Sequence, residues 1–336
     1  MAKENKTKKR VFSGMRPTGR LHLGNYLGAA KGMIALQNDP TYETIYMVVD
    51  YHGITTPHNK DTYAESTRSV VLDYLAAGLD PKKSIITIQS LVPEHSELAH
   101  LLSTVVSVAE MSHLPTFKEK VKMHPKNVTM ALLNYPVLMA ADILAYKAEL
   151  VPVGLDQEPH IEVAREIARK MNAQYGADFP EPKRFTLPGV EYIPSLKGEG
   201  KMSKSVEGSY INLSDDLETI KKRLAGAPTD SGKGDKSPDS GGVVTLLKLV
   251  ELFESKEKRK EYEAQYTRGG IRYAELKAEL AEAIYKQLKP IQLRRSEIAK
   301  DTKYVDKVLL DGAERARSIA AKTLKEVKKK MGFVEL

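Results

Sequence analysis

The chain has 336 residues and a formal net charge of +8, with 52 Lys and Arg against 44 Asp and Glu. Its length is typical of roughly two domains with substantial hydrophobic cores. It has no cysteine, which excludes disulfides and thiolate metal sites. It also has no apolar run of the about 18 residues that a membrane-spanning helix needs. The basic N-terminal residues precede no apolar signal segment, so we expect a cytoplasmic protein.

The first two hundred residues alternate strand-like and helix-like segments. The pattern predicts strands at residues 11–14, 44–50 and 84–89, and helices at residues 22–37, 61–79 and 95–108. Residues 44–50 form a nearly continuous apolar run, as does a strand buried on both faces of a sheet. Repeated β–α units predict an α/β fold with a doubly wound parallel sheet. We assign residues 10–205 to this domain.

The middle and the end of the chain are mostly helical. Residues 98–171 predict a helical insertion over the ligand edge of the sheet, interrupted by a strand at residues 150–153. No strand is predicted after residue 205, so residues 206–336 form a separate all-α domain with a basic face. Within it, residues 229–242 are rich in Gly, Ser and Asp and predict a mobile loop. The basic excess favours a polyanionic partner such as nucleic acid, without distinguishing RNA from DNA.

A glycine-rich turn connects the first strand to the first helix, with the sequence SGMRPTGRLHLGNYLGA at residues 13–29. In a doubly wound sheet this turn faces the ligand crevice. His22, Gly24 and Asn25 are predicted in the first helical turn, where exposed N–H groups and the helix dipole favour phosphate. The spacing excludes a P-loop and disfavours a dinucleotide cofactor. Taken singly, His22 and Asn25 are equally compatible with a capping role.

A second candidate segment is the GKMSKS sequence of residues 200–205, which places two lysines on a glycine-flanked loop. Alone, it would be typical of a solvated surface turn. Together, the H-x-G-N turn and KMSKS resemble the two signature motifs of class I aminoacyl-tRNA synthetases. The first motif is usually written HIGH in that family, and Asn25 here replaces its second histidine. The FKEK of residues 117–120, the YPVLMAADIL of residues 135–144 and the VPVGLDQEPHIE of residues 151–162 resemble the tryptophan branch of the family.

This resemblance implies a two-step reaction on a Rossmann-like catalytic domain. The carboxylate of an amino acid attacks the α-phosphorus of ATP, supplied with Mg²⁺, and pyrophosphate leaves; tRNA(Trp) then accepts the aminoacyl group. Neither step needs a strong protein nucleophile, so catalysis would be positioning plus electrostatic stabilisation of migrating charge. The resemblance also implies a homodimer and a tRNA-binding C-terminal domain. No carboxylate cluster marks a protein-held metal site, and neither a membrane nor DNA is expected as a partner.

The resemblance assigns roles to individual residues. Lysines of the loop and of FKEK would meet the leaving pyrophosphate, with help from the first signature motif. The predicted catalytic residues are His22, Asn25, Lys120, Lys201 and Lys204. The predicted ATP-binding residues are Arg16, Pro17, Thr18, Gly24, Asn25, Gly154, Leu155, Asp156, Ile193, Lys201, Met202, Ser203, Lys204 and Ser205. Independently of ATP, Asp156 is expected to cap the helix that follows it.

The choice of amino acid depends on a lone carboxylate. Tyr135, Met139, Asp142 and Tyr146 are spaced to share one helix face, and an inward Asp142 suits the indole N–H, which is a donor only. A tyrosine hydroxyl would also satisfy it, so a tyrosine ligase is the alternative that only the resemblance disfavours. The predicted tryptophan-binding residues are Phe12, His52, Tyr135, Met139, Asp142, Val151, Val153 and Gln157. His52 is as compatible with a packed loop histidine as with a substrate contact.

Two more distant alternatives are a small-molecule nucleotidyltransferase and a non-catalytic RNA-binding paralogue. The nucleotidyltransferases share an HxGH-type turn, but the basic helical C-terminal region and the full set of tryptophan-branch segments disfavour them. A non-catalytic paralogue would be signalled by loss of His22, Gln157 or the KMSKS lysines, and all are present.

Overall fold

The computed structural model of the chain describes residues 8–17, 19–204, 206–234 and 236–335. Thr18 and Ser205, both predicted to bind ATP, lie outside the described residues.

Five parallel strands form one sheet in the order β3-β2-β1-β4-β5. The strands are β1 (Lys9–Met15), β2 (Tyr42–Val48), β3 (Ser84–Ile88), β4 (Leu150–Pro152) and β5 (Lys183–Phe185). The strand order reverses between β1 and β4, and in a doubly wound sheet ligands bind beyond the carboxyl ends of the strands at this point. The α/β prediction is confirmed, and four of the five strands were predicted.

Helices flank and follow the sheet. The first helical run consists of α1 (Leu23–Asn25), a π-helical turn (Tyr26–Ala30) and α2 (Lys31–Gln37). The other helices are α3 (Asp50–Gly53), α4 (Lys60–Ala77), α5 (Glu94–Ser103), α6 (Val108–His113), α7 (Pro115–Met123), α8 (Met130–Leu144), α9 (Glu158–Tyr175), α10 (Leu217–Ala225), α11 (Gly242–Phe253), α12 (Lys256–Thr267), α13 (Tyr273–Lys300) and α14 (Thr302–Lys330). None of these described helices combines the length and apolar character that crossing a bilayer requires.

The described chain divides into two compact units that are each discontinuous in sequence. Unit 1 contains the described residues within 8–19, 31–187 and 298–335, and unit 2 contains those within 20–30 and 188–297. The C-terminal helix α14 therefore belongs to the unit that contains the sheet, and both signature motifs belong to the other. The predicted boundary at residue 205 does not coincide with this division.

The core of unit 1 explains why α14 belongs to it. Apolar side chains from the sheet, from α5, α8 and α9, and from α14 form one buried cluster. Ala316 and Ala320 contribute small side chains to that cluster, and Thr87 donates its hydroxyl hydrogen to the Leu309 carbonyl. Gly312 lies against the backbone of Ile86, where a Cβ would have no room. Small residues on α14 thus permit a close approach to β3.

Two local features differ from the sequence predictions. The helix predicted at residues 95–108 ends at Ser103, and a capping box of Ser107 and Glu110 starts the next helix, α6, at Val108. The charged strand β5 was not predicted. The strand predicted within the 98–171 insertion is β4, which pairs with β1.

Candidate active site

Asp142 lies on α8 in unit 1, and its side chain is almost fully buried. Its Oδ1 accepts hydrogen bonds from Gln89 Nε2 at 2.7 Å and from His95 Nδ1 at 2.7 Å. Its Oδ2 accepts one from His52 Nε2 at 2.8 Å. His52 and Gln89 lie just beyond the carboxyl ends of β2 and β3. The sheet therefore delivers two of the three donors to the buried carboxylate.

These donors keep Asp142 ionised. Burial by itself raises the pKa of this carboxyl, but the hydrogen bonds from His52 and His95 outweigh it and lower the pKa to about 2. An ionised carboxylate only accepts hydrogen bonds. His52 and His95 must therefore each donate a hydrogen bond to Asp142.

Aromatic and aliphatic side chains surround this cluster in unit 1. The rings of Phe12 and Tyr146 stack with centroids 5.5 Å apart and planes 8° apart. Phe12, Val151 and Val153 are buried, and Met139 is partly buried. Tyr146 follows the end of α8, so it is not on the helix, but its hydroxyl still reaches the cluster and lies 2.6 Å from His95 Nε2.

A second polar cluster of unit 1 surrounds Tyr135. Its hydroxyl lies 2.9 Å from Thr116 Oγ1 and 2.8 Å from His160 Nε2. The ammonium of Lys120 lies 3.7 Å from the centre of the Tyr135 ring, a cation–π contact. Burial and the guanidinium of Arg16 lower the pKa of Lys120 to about 8. The structure thus places two predicted site residues, Lys120 and Tyr135, in direct contact.

His160 is a member of this cluster that the sequence did not identify. Burial lowers the pKa of its imidazole to about 4, and the charge of Lys120 is the second cause. His160 is therefore neutral. Its Nδ1 is buried and has no hydrogen-bond partner among the described residues. The sequence signal that could have identified His160 was its position two residues after Glu158, within the VPVGLDQEPHIE segment.

The turn after β4 contains four predicted site residues. Gly154 is the N-cap of a 3₁₀ turn formed by Leu155–Gln157, and Asp156 lies inside that turn. Gln157 is the N-cap of α9, without a side-chain capping bond, and its Nε2 donates to Asp156 Oδ2 at 2.8 Å. The prediction that Asp156 caps the next helix is therefore wrong.

The first signature motif lies in unit 2. His22 is the N-cap of α1, and its Nδ1 accepts a hydrogen bond from the Gly24 N–H at 3.0 Å. Asn25 Oδ1 accepts one from the His22 N–H at 3.2 Å, which completes a capping box. The Leu23 N–H is bonded to the Ile211 carbonyl. The expectation that the N–H groups of this helical turn are exposed is wrong. The Gly24 N–H donates to His22, and the Leu23 N–H donates to the Ile211 carbonyl.

The second signature motif lies in the same unit on a short hairpin. Pro194 and Lys201 form an antiparallel bridge, and the Met202 N–H donates to the Ile193 carbonyl at 2.9 Å. Gly198 and Gly200 have φ angles of +84° and +68°, which favour glycine over residues with a side chain. Met202 and Ile193 are buried, whereas Lys201 is exposed. The hairpin thus anchors its apolar members and leaves a lysine in solvent.

The two motifs lie against each other within unit 2. A Cβ added to Gly24 would lie 3.3 Å from Met202 Cβ. Burial, followed by the charges of Lys204 and Lys201, lowers the pKa of His22 to about 4. Because Nδ1 accepts from Gly24, neutral His22 carries its proton on Nε2. The result is a neutral donor beside two ammonium groups.

The comparisons with known proteins agree with this arrangement. The chain matches the family model described as tRNA synthetases class I (W and Y) over residues 3–289. A tryptophan–tRNA ligase of Porphyromonas gingivalis is 42% identical over 327 residues, which cover 96% of this chain and 99% of that protein. The chain belongs to the class I tRNA synthetases of this group.

Solved structures of the same kind resemble this synthetase over nearly its whole length. The tryptophanyl-tRNA synthetase of Mycoplasma pneumoniae has a TM-score of 0.86 at 29% identity, with 98% of this chain and 99% of that chain covered. That of Campylobacter jejuni, complexed with ADP and tryptophan, has a TM-score of 0.81 at 31% identity, with 96% and 100% covered.

The synthetase contains further polar residues that the sequence did not single out. These residues are Gln89, His95, Thr116 and His160. All four form hydrogen bonds to predicted site residues of unit 1. Over the described part of the chain, no group of three or more His, Cys, Asp or Glu side chains is placed to hold a metal ion.

Proposed function

We propose that the protein is a tryptophan–tRNA ligase that activates tryptophan with ATP and transfers it to tRNA(Trp). Membership of the class I group limits the amino acid to tryptophan or tyrosine. Within that choice, the observation that carries the proposal is the full-length similarity to relatives named as tryptophan–tRNA ligases. The buried, ionised Asp142 fits this choice, because it can accept a hydrogen bond from an indole N–H.

Asp142 also explains why phenylalanine would be rejected. A side chain without a donor would bury the open acceptor position without a partner, which costs about 1–3 kcal/mol. A site built to bond a polar atom discriminates strongly against the analogue that lacks it. Phe12, Met139, Val151 and Val153 supply the apolar surface that an indole ring needs. His52, which donates to Asp142 Oδ2, is assigned to the same recognition set.

Tyr135 and Gln157 are assigned to the ammonium of tryptophan. The Tyr135 hydroxyl has an oxygen that can accept from an ammonium while it donates to Thr116. Because burial keeps His160 neutral, that histidine adds no positive charge that would repel the ammonium. The amide oxygen of Gln157 is the second acceptor for the ammonium, because Gln157 Nε2 already donates to Asp156.

The activation step is electrostatic. As the tryptophan carboxylate attacks the α-phosphorus, negative charge grows on the departing pyrophosphate, and Lys201, Lys204 and Lys120 are assigned to stabilise it. Neutral His22, with its proton on Nε2, is assigned to donate to a phosphate oxygen, and Asn25 holds His22 in place through the capping box. A loop that carries the lysines can close on ATP and open to release pyrophosphate.

The nucleotide is assigned to backbone and small residues. Arg16 and Pro17 directly follow β1, and Gly154, Leu155 and Asp156 begin two residues after the end of β4, at the ligand end of the sheet. Gly24, Ile193, Met202 and Ser203 complete the set in unit 2. ATP enters as its Mg²⁺ complex. The ion is part of the substrate, and no protein-held metal is proposed.

Two partners follow from the surface of the described residues. Val108, Met123, Val128 and Met130, from α6 to the start of α8, are exposed apolar side chains of unit 1. Such side chains are typical of an interface between subunits, and we assign them to a homodimer.

The tRNA backbone is assigned to basic side chains of unit 2. Helix α13 exposes Lys286, Lys289 and Arg294, which suit a polyanionic backbone. A ligase that charges tRNA for translation would act in the cytoplasm.

The test is ATP–pyrophosphate exchange with each of tryptophan, tyrosine and phenylalanine, followed by charging of tRNA(Trp) and tRNA(Tyr) transcripts. We expect exchange to depend on tryptophan and only tRNA(Trp) to be charged. Tyrosine-dependent exchange with charging of tRNA(Tyr) would replace the proposal by the tyrosine alternative. Exchange with no amino acid added would contradict both.

A further inference from the structure

Three buried residues of unit 1 contact Asp142, either directly or through another of the three. None of them is assigned to a substrate. Gln89 and His95 both donate to Asp142 Oδ1, each at 2.7 Å. The other ring nitrogen of His95, Nε2, lies 2.6 Å from the Tyr146 hydroxyl. Gln89 and His95 have no exposed surface, and neither does Tyr146. Such a fully buried polar series is costly unless every member is satisfied.

The directions of these hydrogen bonds follow from chemistry. Since ionised Asp142 can only accept, His95 donates from Nδ1. The Tyr146 hydroxyl, 2.6 Å from Nε2, holds the other side of the same ring. Gln89 is oriented in a similar way, because its Oε1 accepts from the Tyr51 N–H at 3.0 Å and so turns its Nε2 towards Asp142. Each residue has only one orientation that satisfies all its partners.

The two oxygens of Asp142 differ as a result. A carboxylate has about four acceptor positions, two on each oxygen. Oδ1 is filled by Gln89 and His95, whereas Oδ2 has the single donor His52 among the described residues. The remaining acceptor position is therefore on Oδ2, and rotation of the carboxylate would break the two bonds to Oδ1.

We propose that Gln89, His95 and Tyr146 are positioning residues that hold Asp142 with one acceptor position open on Oδ2 and thereby set selectivity for an aromatic N–H. Tyr146 acts through His95, and the stacked ring of Phe12 keeps Tyr146 in its place. This inference rests on the proposed recognition of tryptophan by Asp142. It adds the residues that determine how strong and how selective that recognition is.

A purely structural role for the same residues makes a different prediction. If they only supported the fold of the pocket, their loss would weaken binding of any flat bicyclic side chain equally. If they act on the N–H bond, their loss would matter only for a ligand that has the N–H. The two cases are distinguished by β-(3-benzothienyl)alanine, in which sulfur replaces the indole N–H at nearly the same shape.

The experiment measures kcat/KM in pyrophosphate exchange for tryptophan and for this analogue, and takes their ratio for each variant. We expect the full-length wild-type protein to prefer tryptophan by about tenfold or more, the equivalent of one hydrogen bond to a charged group. His95→Ala should reduce the ratio to about threefold or less. His95→Asn, whose Nδ2 can replace the Nδ1 donor, should recover most of it.

Two milder variants keep the test valid if His95→Ala does not fold. Tyr146→Phe removes only the hydroxyl and keeps the ring stacked on Phe12, and we expect the ratio to fall about threefold. Tyr46→Phe is the matched control, because Tyr46 is an equally buried tyrosine whose hydroxyl donates to the Met33 carbonyl instead. The control should keep the wild-type ratio.

The results separate this inference from the proposed function. Equal losses for tryptophan and the analogue in His95→Ala and Tyr146→Phe, with an unchanged ratio, would overturn the positioning role and leave the ligase proposal intact. A wild-type protein without tryptophan-dependent exchange would overturn the ligase proposal itself. As a further check, adding His95→Ala to Asp142→Ala should leave the ratio of the single Asp142→Ala variant unchanged, because residues that act through one group are not additive.

Discussion

Asp142 in unit 1 and the lysines of the KMSKS hairpin in unit 2 carry opposite charges in opposite environments. Asp142 is buried, and three donors compensate its charge before any substrate is present. Lys201 is exposed, and both lysines lie close enough to His22 to lower its pKa. The carboxylate is thus preorganised for a ground-state ligand. The lysines lie on a glycine-flanked hairpin beside His22, which suits groups that stabilise charge developing in a transition state.

The largest expected effect concerns the lysines. Lys204→Ala should lower kcat of pyrophosphate exchange by about 100-fold, the usual cost of losing one donor to developing negative charge. ATP affinity, measured by equilibrium binding, should change by only about threefold or less, because most of the interaction forms in the transition state. Lys260→Ala removes a similar charge from an exposed position on α12 and should behave like wild type. Equal losses in kcat and ATP affinity would make Lys204 a simple binding group.

Asp142→Ala tests the other half of the comparison. It should reduce kcat/KM for tryptophan by more than about tenfold, because the indole N–H loses a charged acceptor in a buried site. The KM for ATP should stay nearly unchanged. The same exchange assay with tyrosine measures selectivity, and an unaltered preference for tryptophan in the variant would refute the recognition role.

Gly24→Ala tests whether close packing of the two signature motifs matters for the nucleotide. The new Cβ would lie 2.8 Å from His22 Cε1 and 3.3 Å from Met202 Cβ, so His22 must move. We expect kcat/KM for ATP to fall about tenfold, as misplacement of a positioning group implies. Gly28→Ala is the control, since its Cβ would meet only the Val190 carbonyl at 3.8 Å. Similar losses in both variants would assign the effect to helix structure rather than to the motif contact.

The smallest effect expected is a pH dependence at Lys120, the cation of unit 1. With its pKa lowered to about 8, this lysine loses its charge as pH rises through 8. The wild-type kcat/KM for ATP, which reports the free enzyme, should therefore decline on the alkaline side. Lys120→Arg keeps its charge at every pH used and should abolish that decline. A decline that persists in the arginine variant would assign it to another group.

The sequence predicted the sheet well and its surroundings less well. Long apolar runs identified β2 and β3, whereas the three residues of β5 include Lys183 and Arg184 and carry no such signal. The break before α6 was detectable, because Ser107 and Glu110 have capping-box spacing. That α14 belongs with the sheet was not predictable, since an amphipathic helix does not specify which surface it covers.

Prediction of the candidate site from the sequence was limited in the same way. Motifs identified the residues with a family pattern, such as Asp142 and Lys204. They did not identify His95, whose role depends on contacts with Asp142 and Tyr146 that are made between separate parts of the chain. Periodicity placed Asp142 on one helix face with Tyr135 and Met139 but could not say how many donors would meet it. Residues that act through others require the folded structure to be recognised.

The most direct test of the account is calorimetric titration of the wild-type protein with tryptophan and with phenylalanine in the absence of ATP. Because Asp142 and its donors are already in place, tryptophan should bind without nucleotide and at least about 100-fold more tightly than phenylalanine, which has no donor for Asp142. Equal affinities, or tighter binding of phenylalanine, would contradict a preorganised carboxylate that selects a side chain with an N–H.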